Sequence, residues 1–316
     1  MSNTNGVTVS DVNCPVCGGH DAKVLREASY PAGITVQQVQ AMFSASSDHG
    51  LLDRVVECKC GMIYIAPRLD AELIESGYSS GEDPAFVAQN ENRIRTFAGK
   101  IRSVLNRTGL NAKGRKMLDV GCAGGAFLVA ARDAGFDVQG IEPSHWLGEY
   151  GRKSYGLNVR QRILMPGVFP DGTFDVVTVW DVIEHVPDPH SLLETVHAAL
   201  KPEGYLWVSY PDAGSLAARI LGWKWPFWLS VHLHYYRRDS MRRQLEGAGF
   251  EVLYMKPFWQ ELKLGYALQR ATAIFSLAKI PGKLVSALGL GSVPLTYNMG
   301  QTLVIAKRLA AGRKGH

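Results

Sequence analysis

Three ionisable residues, Asp181, Glu184 and His185, stand together in the second half of the chain. They directly follow residues 174–180, a nearly all-apolar and β-branched run that predicts a buried parallel strand. An imidazole titrates near neutrality, so His185 could remove a proton from a hydroxyl group. Carboxylates and an imidazole could instead bind a divalent cation such as Mg²⁺. In a third interpretation, these side chains only shape the wall of a pocket.

A second polar set surrounds a glycine-rich turn at residues 121–125. Asp119 precedes the turn, and Glu142 ends the next predicted strand. Glycines let the backbone bend sharply towards a ligand, but their spacing here fits poorly with dinucleotide sites and with phosphate-binding P-loops. Asp119 would repel a pyrophosphate, whereas a carboxylate such as Glu142 can accept hydrogen bonds from ribose hydroxyls. The pattern favours a cationic adenosyl compound such as S-adenosylmethionine.

Four cysteines form two close pairs, Cys14 with Cys17 and Cys58 with Cys60. In a reducing cytosol such pairs are typical metal ligands rather than disulfides. Four thiolates can hold one zinc ion in a closed tetrahedral site, which has a structural role because no coordination position is left for a substrate. We therefore predict that residues 1–70 form a small zinc-ribbon module, in which short strands alternate with the cysteine turns.

The composition is that of a globular protein. The chain has 316 residues, of which 46% are hydrophobic, and a formal net charge of +5. This length fits one large α/β domain plus a small module. The apolar runs are shorter than the roughly 18 residues needed to cross a bilayer, and the polar residues 1–5 do not resemble a signal peptide. We expect a cytoplasmic location, and the mild positive charge permits an anionic partner without requiring one.

Strands and helices are predicted to alternate from residue 113 onward, which indicates a doubly wound parallel sheet. Apolar runs predict strands at 116–120, 136–141, 174–180, 205–210, 250–255 and 302–306. Helical periodicity predicts helices at 126–134, 147–155, 191–200 and 240–246. Residues 71–112 form a connecting helical segment, with a helix at 85–108. The domain 113–310 would carry two insertions, at 211–234 and 259–295.

The motifs of this domain resemble those of class I S-adenosylmethionine-dependent methyltransferases, in the same order. The matching segments are 119–125, 140–144, 174–189, 200–206 and 249–251. The resemblance implies an α/β, Rossmann-like fold with a seven-stranded doubly wound sheet and a final antiparallel strand. It also implies the cofactor-binding residues Asp119, Gly121, Cys122, Ala123, Gly125, Glu142, Pro143, Leu164, Trp180 and Asp181. At the position of Ala123 the family usually has glycine.

The spacing of Asp181, Glu184 and His185 is also similar to the metal-ligand set of ubiquinone-biosynthesis O-methyltransferases and small-RNA 2′-O-methyltransferases. In those enzymes the first acid is usually glutamate. The resemblance implies a Mg²⁺ site at these three residues, which a later histidine completes in the RNA enzymes. His232 or His234 could fill that position. The catalytic candidates are therefore Asp181, Glu184, His185 and His232, and both the base and the metal interpretation stay open.

The order of the modules resembles a group of bacterial methyltransferases with an N-terminal zinc ribbon, which modify sugars and other secondary metabolites. The resemblance implies a small-molecule, sugar or lipid-linked glycan acceptor, methylated on oxygen or carbon, with Tyr78 as a candidate lid contact. One alternative is an RNA methyltransferase whose ribbon binds nucleic acid, although the ribbon has few Lys and Arg residues. Another is a non-catalytic interaction protein with a zinc ribbon and a Rossmann-like domain.

Both insertions contain apolar segments. Residues 218–230 include Trp223, Trp225, Phe227 and Trp228, and residues 262–290 place Lys and Arg among Leu, Ile and Phe. These segments could pack over the core, line a hydrophobic wall for the acceptor, or contact a membrane peripherally. The last interpretation would place the cytoplasmic protein at the inner membrane.

Overall fold

The N-terminal part of the chain forms a small antiparallel sheet. A computed structural model describes residues 9–31, 33–35, 37–38, 50–80, 82–265, 267–268, 288 and 290–310. The first strands are β1 (Val9–Ser10), β2 (Ala22–Arg26), β3 (Val55–Cys58), β4 (Ile63–Ile65) and β5 (Arg68–Leu69). Strands β2, β3 and β4 pair antiparallel in chain order, and β1 pairs with β5. One cysteine pair precedes β2 and the other lies where β3 turns into β4, as expected of a ribbon.

The connecting segment is helical. It contains α1 (Ala71–Ser80), α2 (Pro84–Val87) and α3 (Asn90–Thr108), so the helix predicted at 85–108 is divided in two. At the start of α2 the Asp83 carboxylate accepts a hydrogen bond from the N–H of Phe86 at 2.9 Å. Pro84 suits the first helical position, where its missing N–H leaves no hydrogen bond unmade. Helix α3 ends at Gly109, whose φ of 69° provides a left-handed cap.

From residue 116 the chain alternates between strands and helices. The strands are β6 (Lys116–Val120), β7 (Asp137–Ile141), β8 (Val159–Arg160), β9 (Phe174–Trp180), β10 (Leu200–Pro211), β11 (His234–Tyr235), β12 (Phe250–Pro257), β13 (Gln260–Lys263), β14 (Pro294–Tyr297) and β15 (Gln301–Arg308). The helices are α4 (Ala126–Asp133), α5 (His145–Tyr155), α6 (Pro189–Ala199), α7 (Leu216–Leu221) and α8 (Arg238–Gly247).

Seven of these strands form one sheet in the order β12-β15-β10-β9-β6-β7-β8. Strands β10, β9, β6, β7 and β8 are parallel to their neighbours, and β15 runs antiparallel to both β10 and β12. The predicted Rossmann-like, seven-stranded sheet with a final antiparallel strand is thereby confirmed. The chain leaves β6 towards β7 on one side and returns to β9 on the other. The carboxyl ends of β6 and β9 are therefore the switch point at which open α/β sheets bind ligands.

Both faces of this sheet are buried, because successive side chains of a strand point to opposite faces. On one face Met117 and Val176 pack in an apolar cluster with Ile101 of α3 and Phe127 of α4. The opposite face carries a second cluster, to which helices α6 and α8 contribute Leu193 and Leu245. Because both faces of β9 are buried, its sequence is a nearly continuous run of apolar residues.

The ribbon sheet is continuous with the main domain. Strand β11 pairs antiparallel with β4, with His234 opposite Tyr64. Tyr64 and Tyr236 belong to the same apolar cluster as the central strands, and Arg237 forms a 2.6 Å ion pair with Glu57. The ribbon therefore lies against the segment around β11, between β10 and α8. The domain boundaries at residues 70 and 112 stay predictions.

The two predicted insertions differ in how much of them is described. Residues 211–234 contain α7, a short 3₁₀ turn at Gly222–Lys224 and the start of β11. Residues 259–295 contribute the antiparallel pair β13–β14. Most of the predicted membrane-contact segment 262–290 lies outside the described residues. Within the described part of the chain, every helix is too short or too polar to span a membrane.

Candidate functional site

The glycine-rich turn joins β6 to α4. Gly121 and Gly125 have φ values of 71° and 82°, and a Cβ at Gly121 would lie 2.6 Å from Cγ2 of Val182. Ala123, which replaces the expected glycine, also has a positive φ of 45°, a conformation that costs a non-glycine residue about 1–2 kcal/mol. The N–H groups of Gly121 and Cys122 both donate to the carbonyl of Ile141. The turn is thus tied to the end of the neighbouring strand β7.

Two buried carboxyl groups flank this turn. Asp119, 2% exposed, accepts a hydrogen bond from Oγ1 of Thr178 at 2.6 Å. Glu142, 6% exposed, accepts hydrogen bonds from the N–H groups of Ala123 and Ser144 at 2.8 and 2.9 Å. Burial raises the pKa of Asp119 to about 8 and the pKa of Glu142 to about 7. A ligand that offers a positive charge or hydroxyl donors would favour the ionised form of both groups.

The other predicted cofactor residues lie near the same end of the sheet. Cys122 is buried in the turn, and burial raises the pKa of its thiol well above the ordinary value. A Cβ at Gly140 would lie 2.6 Å from the Cys122 sulfur, so β7 requires glycine there. Leu164 is buried in the cluster that contains Ile141, and Pro143 directly follows Glu142. Their proposed contacts with the cofactor stay predictions.

Helices α2 and α3 cover the turn from the N-terminal side. The Nδ2 group of Asn90 donates to the carbonyl of Gly124 at 3.3 Å. A Cβ at Gly124 would lie 2.8 Å from Cγ1 of Val87. The sequence motifs did not identify Asn90, although an asparagine at the start of an amphipathic helix is a signal that could have found it. The connecting segment therefore forms one wall of the candidate cofactor site.

Trp180 ends β9 inside a group of aromatic rings. Its ring centroid lies 5.1 Å from that of Phe97, 5.0 Å from Phe127 and 5.5 Å from Phe258. These rings come from α3, from α4 and from the residues after β12. Trp180 thus contacts three separate elements at the carboxyl end of β9. Its predicted contact with the methyl donor stays a prediction.

Asp181 starts the loop after β9 with a left-handed φ of 50°. Its carboxylate accepts hydrogen bonds from Oγ of Ser209 at 2.8 Å and from Nε2 of Gln301 at 3.1 Å. Burial raises the pKa of Asp181. Ser209 and Gln301 were not identified from the sequence, although isolated polar residues in apolar strands are a signal for them. The two strands that flank this end of the sheet, β10 and β15, therefore hold the Asp181 carboxylate.

Glu184, His185 and His232 form a buried cluster in which each residue offers one possible ligand atom within 4.8 Å of the others. The Nδ1 atom of His185 lies 2.9 Å from the carbonyl oxygen of Val231, and that of His232 lies 2.8 Å from the carbonyl oxygen of Phe227. A carbonyl oxygen only accepts hydrogen bonds, so we assign the proton to both Nδ1 atoms, and the Tyr78 hydroxyl oxygen, 2.5 Å from Nδ1 of His185, then accepts from the same N–H. Both Nε2 atoms therefore keep a free lone pair.

The carboxyl group of Glu184 has unmet hydrogen-bonding capacity. It is 2% exposed, and neither oxygen has a hydrogen-bond partner within the described part of the chain. Its Oε1 atom lies 4.0 Å from Nε2 of His185, which is too far for a hydrogen bond. Burial raises the pKa of Glu184 well above its usual value, lowers the pKa of His185 to about 4 and lowers that of His232 well below its usual value. Ligand atoms at these separations could share one cation.

Backbone hydrogen bonds bring His232 to this cluster. The Glu184 carbonyl accepts from the N–H groups of Leu233 and His234 at 2.8 and 3.2 Å, which holds residues 231–234 against the loop after β9. His234, the other histidine considered for this position, donates a hydrogen bond from Nε2 to the carbonyl oxygen of Val186 at 3.0 Å.

Asp181 was predicted to share the metal site, but its carboxylate does not belong to this group of ligand atoms.

Helix α1 also reaches the cluster. The hydroxyl oxygen of Tyr78 lies 2.5 Å from Nδ1 of His185, and the two rings meet edge to face with centroids 5.5 Å apart. The predicted lid contact is thus adjacent to the candidate catalytic residues. Whether α1 moves as a lid stays a prediction.

The four cysteine sulfurs lie together in the ribbon. All four are within 4.8 Å of one another, with 3.5 Å between Cys14 and Cys60 and 3.4 Å between Cys17 and Cys58. In a zinc tetrahedron with Zn–S bonds of about 2.3 Å, sulfurs stand about 3.8 Å apart. A hydrogen bond from the backbone of Gly19 lowers the pKa of Cys17 to about 7, which favours the thiolate form that metals bind. The arrangement is compatible with structural zinc.

We expect Cys58→Ser to reduce bound zinc from about one ion per chain to below about 0.1, and to lower the thermal unfolding midpoint by about 5–10 °C, because three thiolates hold zinc less tightly and the ribbon loses its cross-link. Elemental analysis and differential scanning fluorimetry measure the two effects. Cys122→Ser, at a cysteine outside the ribbon, should leave the zinc content unchanged. A wild-type chain without zinc after expression in zinc-supplemented medium would refute the assignment.

The sequence also matches known proteins. Residues 90–255, more than half of the chain, match the model of a methyltransferase domain family. The chain is 38% identical over 106 residues to a ubiquinone biosynthesis O-methyltransferase of Actinobacillus pleuropneumoniae serotype 5b, an alignment that covers 30% of this chain and 45% of the relative. It is 41% identical over 103 residues to the protein of the same name from Methylococcus capsulatus, covering 30% and 43%. The chain thus spans less than half the length of these curated relatives.

The fold has a counterpart among solved structures. One chain of the complex that contains the Haloferax volcanii Trm112 methyltransferase activator superposes with a TM-score of 0.53 at 17% identity, over 72% of this chain and 96% of that one. This likeness supports the fold alone. Because the family model spans the core from α3 into β12 and the sheet has the order described above, this chain belongs to the class I S-adenosylmethionine-dependent methyltransferase family.

Proposed function

We propose that this chain transfers the methyl group of S-adenosylmethionine to a hydroxyl group of a small molecule. The observation that carries this proposal is that two sets of groups meet at the carboxyl end of one sheet. Asp119 and Glu142 flank the glycine turn after β6, and the cluster of Glu184, His185 and His232 follows β9. The first set suits the methyl donor, and the second can handle the proton of a hydroxyl group. The curated relatives are named as O-methyltransferases, which supports oxygen as the acceptor atom.

Asp119, Glu142 and residues 121–125 would hold the cofactor. An ionised Asp119 would attract its cationic amino-acid part, and the lone pairs left on Glu142 would accept hydrogen bonds from the ribose hydroxyls. Leu164 would line the pocket for the adenine ring. S-adenosylmethionine supplies a methyl group on a sulfonium that is already a good leaving group. Much of the rate enhancement therefore comes from holding the methyl donor and the acceptor in line. Asn90, bonded to Gly124, would enclose this side of the site.

Glu184, His185 and His232 would hold a divalent cation. Two imidazole lone pairs and one carboxylate without a partner are the ligand types of such a site. The carbonyls of Val231 and Phe227 would orient the two rings, as outer partners of metal-bound histidines do. A cation at this position would lower the pKa of an acceptor hydroxyl. In the alternative without metal, His185 takes the proton directly and chelation leaves activity unchanged.

The acceptors that we propose are sugars, lipid-linked glycans and other hydroxylated secondary metabolites. Support comes from the enclosure of the cluster by the N-terminal segments: α1 places Tyr78 against His185, and the ribbon pairs with β11 immediately after His232. An enclosed cluster favours a small molecule over a nucleic-acid strand.

The direct test is incubation with S-adenosylmethionine carrying a labelled methyl group and a panel of hydroxylated small molecules. We expect mass spectrometry of the products to locate the label on an oxygen atom. Label found only on carbon, or only on RNA included in the panel, would contradict the proposal.

Cofactor affinity should depend on pH. With the pKa of Asp119 raised to about 8 and that of Glu142 to about 7, both carboxyls are partly protonated near neutrality in the cofactor-free chain. Binding of a cation favours the ionised Asp119, so affinity should rise between pH 5.5 and 7.5, by up to about tenfold per pH unit, with release of a proton on binding. Isothermal calorimetry in buffers of different ionisation enthalpy measures both the affinity and the number of protons released. An affinity that falls with pH over this range would contradict the assignment of Asp119.

A further inference from the structure

An apolar face stands on the outside of the first insertion. Leu216 and Ile220 of α7 are 70% and 73% exposed, and Trp223 in the following 3₁₀ turn is 46% exposed. Leu216 and Ile220, four residues apart, lie on the same side of α7. Trp223 follows in the 3₁₀ turn, after Gly222 with φ 53° and ψ −132° has ended the helix. Exposed large apolar residues are ordinary when scattered singly, whereas a contiguous group marks an interaction surface. We call these three residues the 216–223 face.

The remaining tryptophans of the insertion do not belong to this face. Trp225 is 2% exposed, and its Nε1 group donates to the carbonyl of Met299 at 2.6 Å. Trp228 donates to the carbonyl of Gly222 at 2.9 Å and packs against Tyr235 with ring centroids 4.5 Å apart. These two side chains fix the insertion to the domain. Trp223 packs against Trp228 with ring centroids 4.7 Å apart, so the aromatic cluster has an inner, structural part and an exposed edge at Trp223.

A second exposed apolar group lies on the neighbouring hairpin. It consists of Trp259 before β13, Leu290 and Val293 before β14, and Leu295 within β14, with exposed fractions between 38% and 53%. The bond from Trp225 to Met299 links this hairpin to the insertion that carries the 216–223 face. Gln301, two residues further on, donates to the carboxylate of Asp181. Both apolar groups therefore extend from the strand end that bears the candidate active site.

The charge along the insertion that carries the 216–223 face has one sign. Residues 213–238 contain no Asp or Glu, and they include Arg219 and Lys224 beside the exposed apolar residues. On the hairpin, Lys263 of β13 is basic, and Glu261 two residues before it is paired with Arg95 at 2.9 Å. The guanidinium of Arg26 lies 5.7 Å from the ring centroid of Trp223 and adds a further positive charge.

We propose that the 216–223 face binds the surface of an anionic lipid bilayer. Leu, Ile and Trp side chains insert at the boundary between headgroups and acyl chains, and Arg and Lys beside them bind anionic headgroups. A nucleic-acid partner would use the basic residues but would leave Leu216 and Ile220 exposed to water. The inference goes beyond the proposed methyl transfer and does not depend on it. It orients the chain so that the carboxyl end of the sheet is close to the bilayer.

Flotation with vesicles tests this proposal on the full chain, without cofactor or acceptor. We expect the chain to float with vesicles containing about one-third phosphatidylglycerol, and to bind pure phosphatidylcholine vesicles at least tenfold more weakly. The triple variant Leu216→Ser/Ile220→Ser/Trp223→Ser should lower binding to the anionic vesicles by at least tenfold, and Arg219→Glu/Lys224→Glu should do the same. Because these side chains are exposed, the unfolding midpoints should change little.

Leu253→Ser is the matched control, since Leu253 on β12 is 40% exposed and lies outside both apolar groups. It should bind vesicles like the wild type. The proposal is wrong if the wild-type chain does not float, if it binds neutral and anionic vesicles equally, or if the triple variant and the control behave alike. It is also wrong if the triple variant converts a dimer into a monomer in light scattering while vesicle binding is unchanged, because the face would then bind a second copy of the chain.

Discussion

Replacing His232 by glutamine is expected to lower kcat by about 10²–10³-fold, because the proposed cation would lose one of its ligands and with it the stabilisation of charge on the acceptor oxygen. Affinity for S-adenosylmethionine should stay within about twofold, since His232 lies in the cluster after β9 and not among the carboxyls at the glycine turn. Glu184→Gln, which keeps the shape of the side chain and removes its charge, should behave in the same way.

His234→Gln is the control for this experiment. His234 is as buried as His232 and also bonds to a backbone carbonyl, but it lies outside the group of possible ligand atoms. We expect it to change kcat by less than about fivefold. Equal losses for His232→Gln and His234→Gln would show that the cluster is structural.

Metal titration distinguishes a mechanism that depends on a cation from one in which His185 acts as the general base. After chelation, activity should return when a divalent cation is added, and His232→Gln should need a higher cation concentration for half-maximal activity. Because a chelator can also remove zinc from the ribbon, zinc is restored first and the second cation is titrated afterwards. Full activity in the chelated, zinc-restored chain would rule out the cation-dependent mechanism. A large loss of activity in His185→Ala would then identify His185 as the general base.

Asp119→Asn should weaken S-adenosylmethionine binding by about 10–100-fold at pH 7.5, the range expected for a hydrogen-bonded charge in a buried site. Asp119 is 2% exposed and has Thr178 as its hydrogen-bond partner, so the sheet already holds it in position for a cation. The variant should also lose the part of the pH dependence of binding that belongs to Asp119 and keep the part that belongs to Glu142, whose pKa is raised to about 7. Calorimetry measures both effects.

Asp175→Asn provides the same chemical change at the opposite end of the sheet. Asp175 lies at the amino end of β9, where it pairs with Arg115 and Lys201. It should leave cofactor affinity unchanged, whatever it does to stability. If Asp119→Asn binds the cofactor as tightly as the wild type, the assignment of the amino-acid pocket is wrong, although the family membership would stand.

The local patterns of this chain were predictable. Glycines with positive φ at 121 and 125, an apolar β-branched run at 174–180 and two cysteine pairs each depend on neighbours within a few residues, and each appears in the structure as predicted. Asp119 and Glu142 could be paired as well, because consecutive parallel strands end at the same edge of a sheet. The seven-stranded Rossmann-like sheet with a final antiparallel strand followed from the resemblance of the motifs and was confirmed.

The contacts between distant segments were not predictable in the same way. Two histidines, at 232 and 234, were equally placed along the chain. The hydrogen bonds from residues 233 and 234 to the Glu184 carbonyl, together with the pairing of β11 with β4, decide that His232 enters the cluster. Asp181 has the spacing of a metal ligand, yet Ser209 and Gln301 from the neighbouring strands accommodate its carboxylate.

By itself, the sequence determined the α/β class, the glycine turn with its two carboxyls and the thiolate set, because these depend on side-chain type and on short spacing. The tertiary structure alone decided which histidine faces Glu184, which polar residues hold Asp181 and which apolar residues of the insertion remain exposed. The physical reason is that a buried polar group takes whichever partner the packing of distant elements brings within hydrogen-bonding distance, and spacing along the chain does not encode that distance.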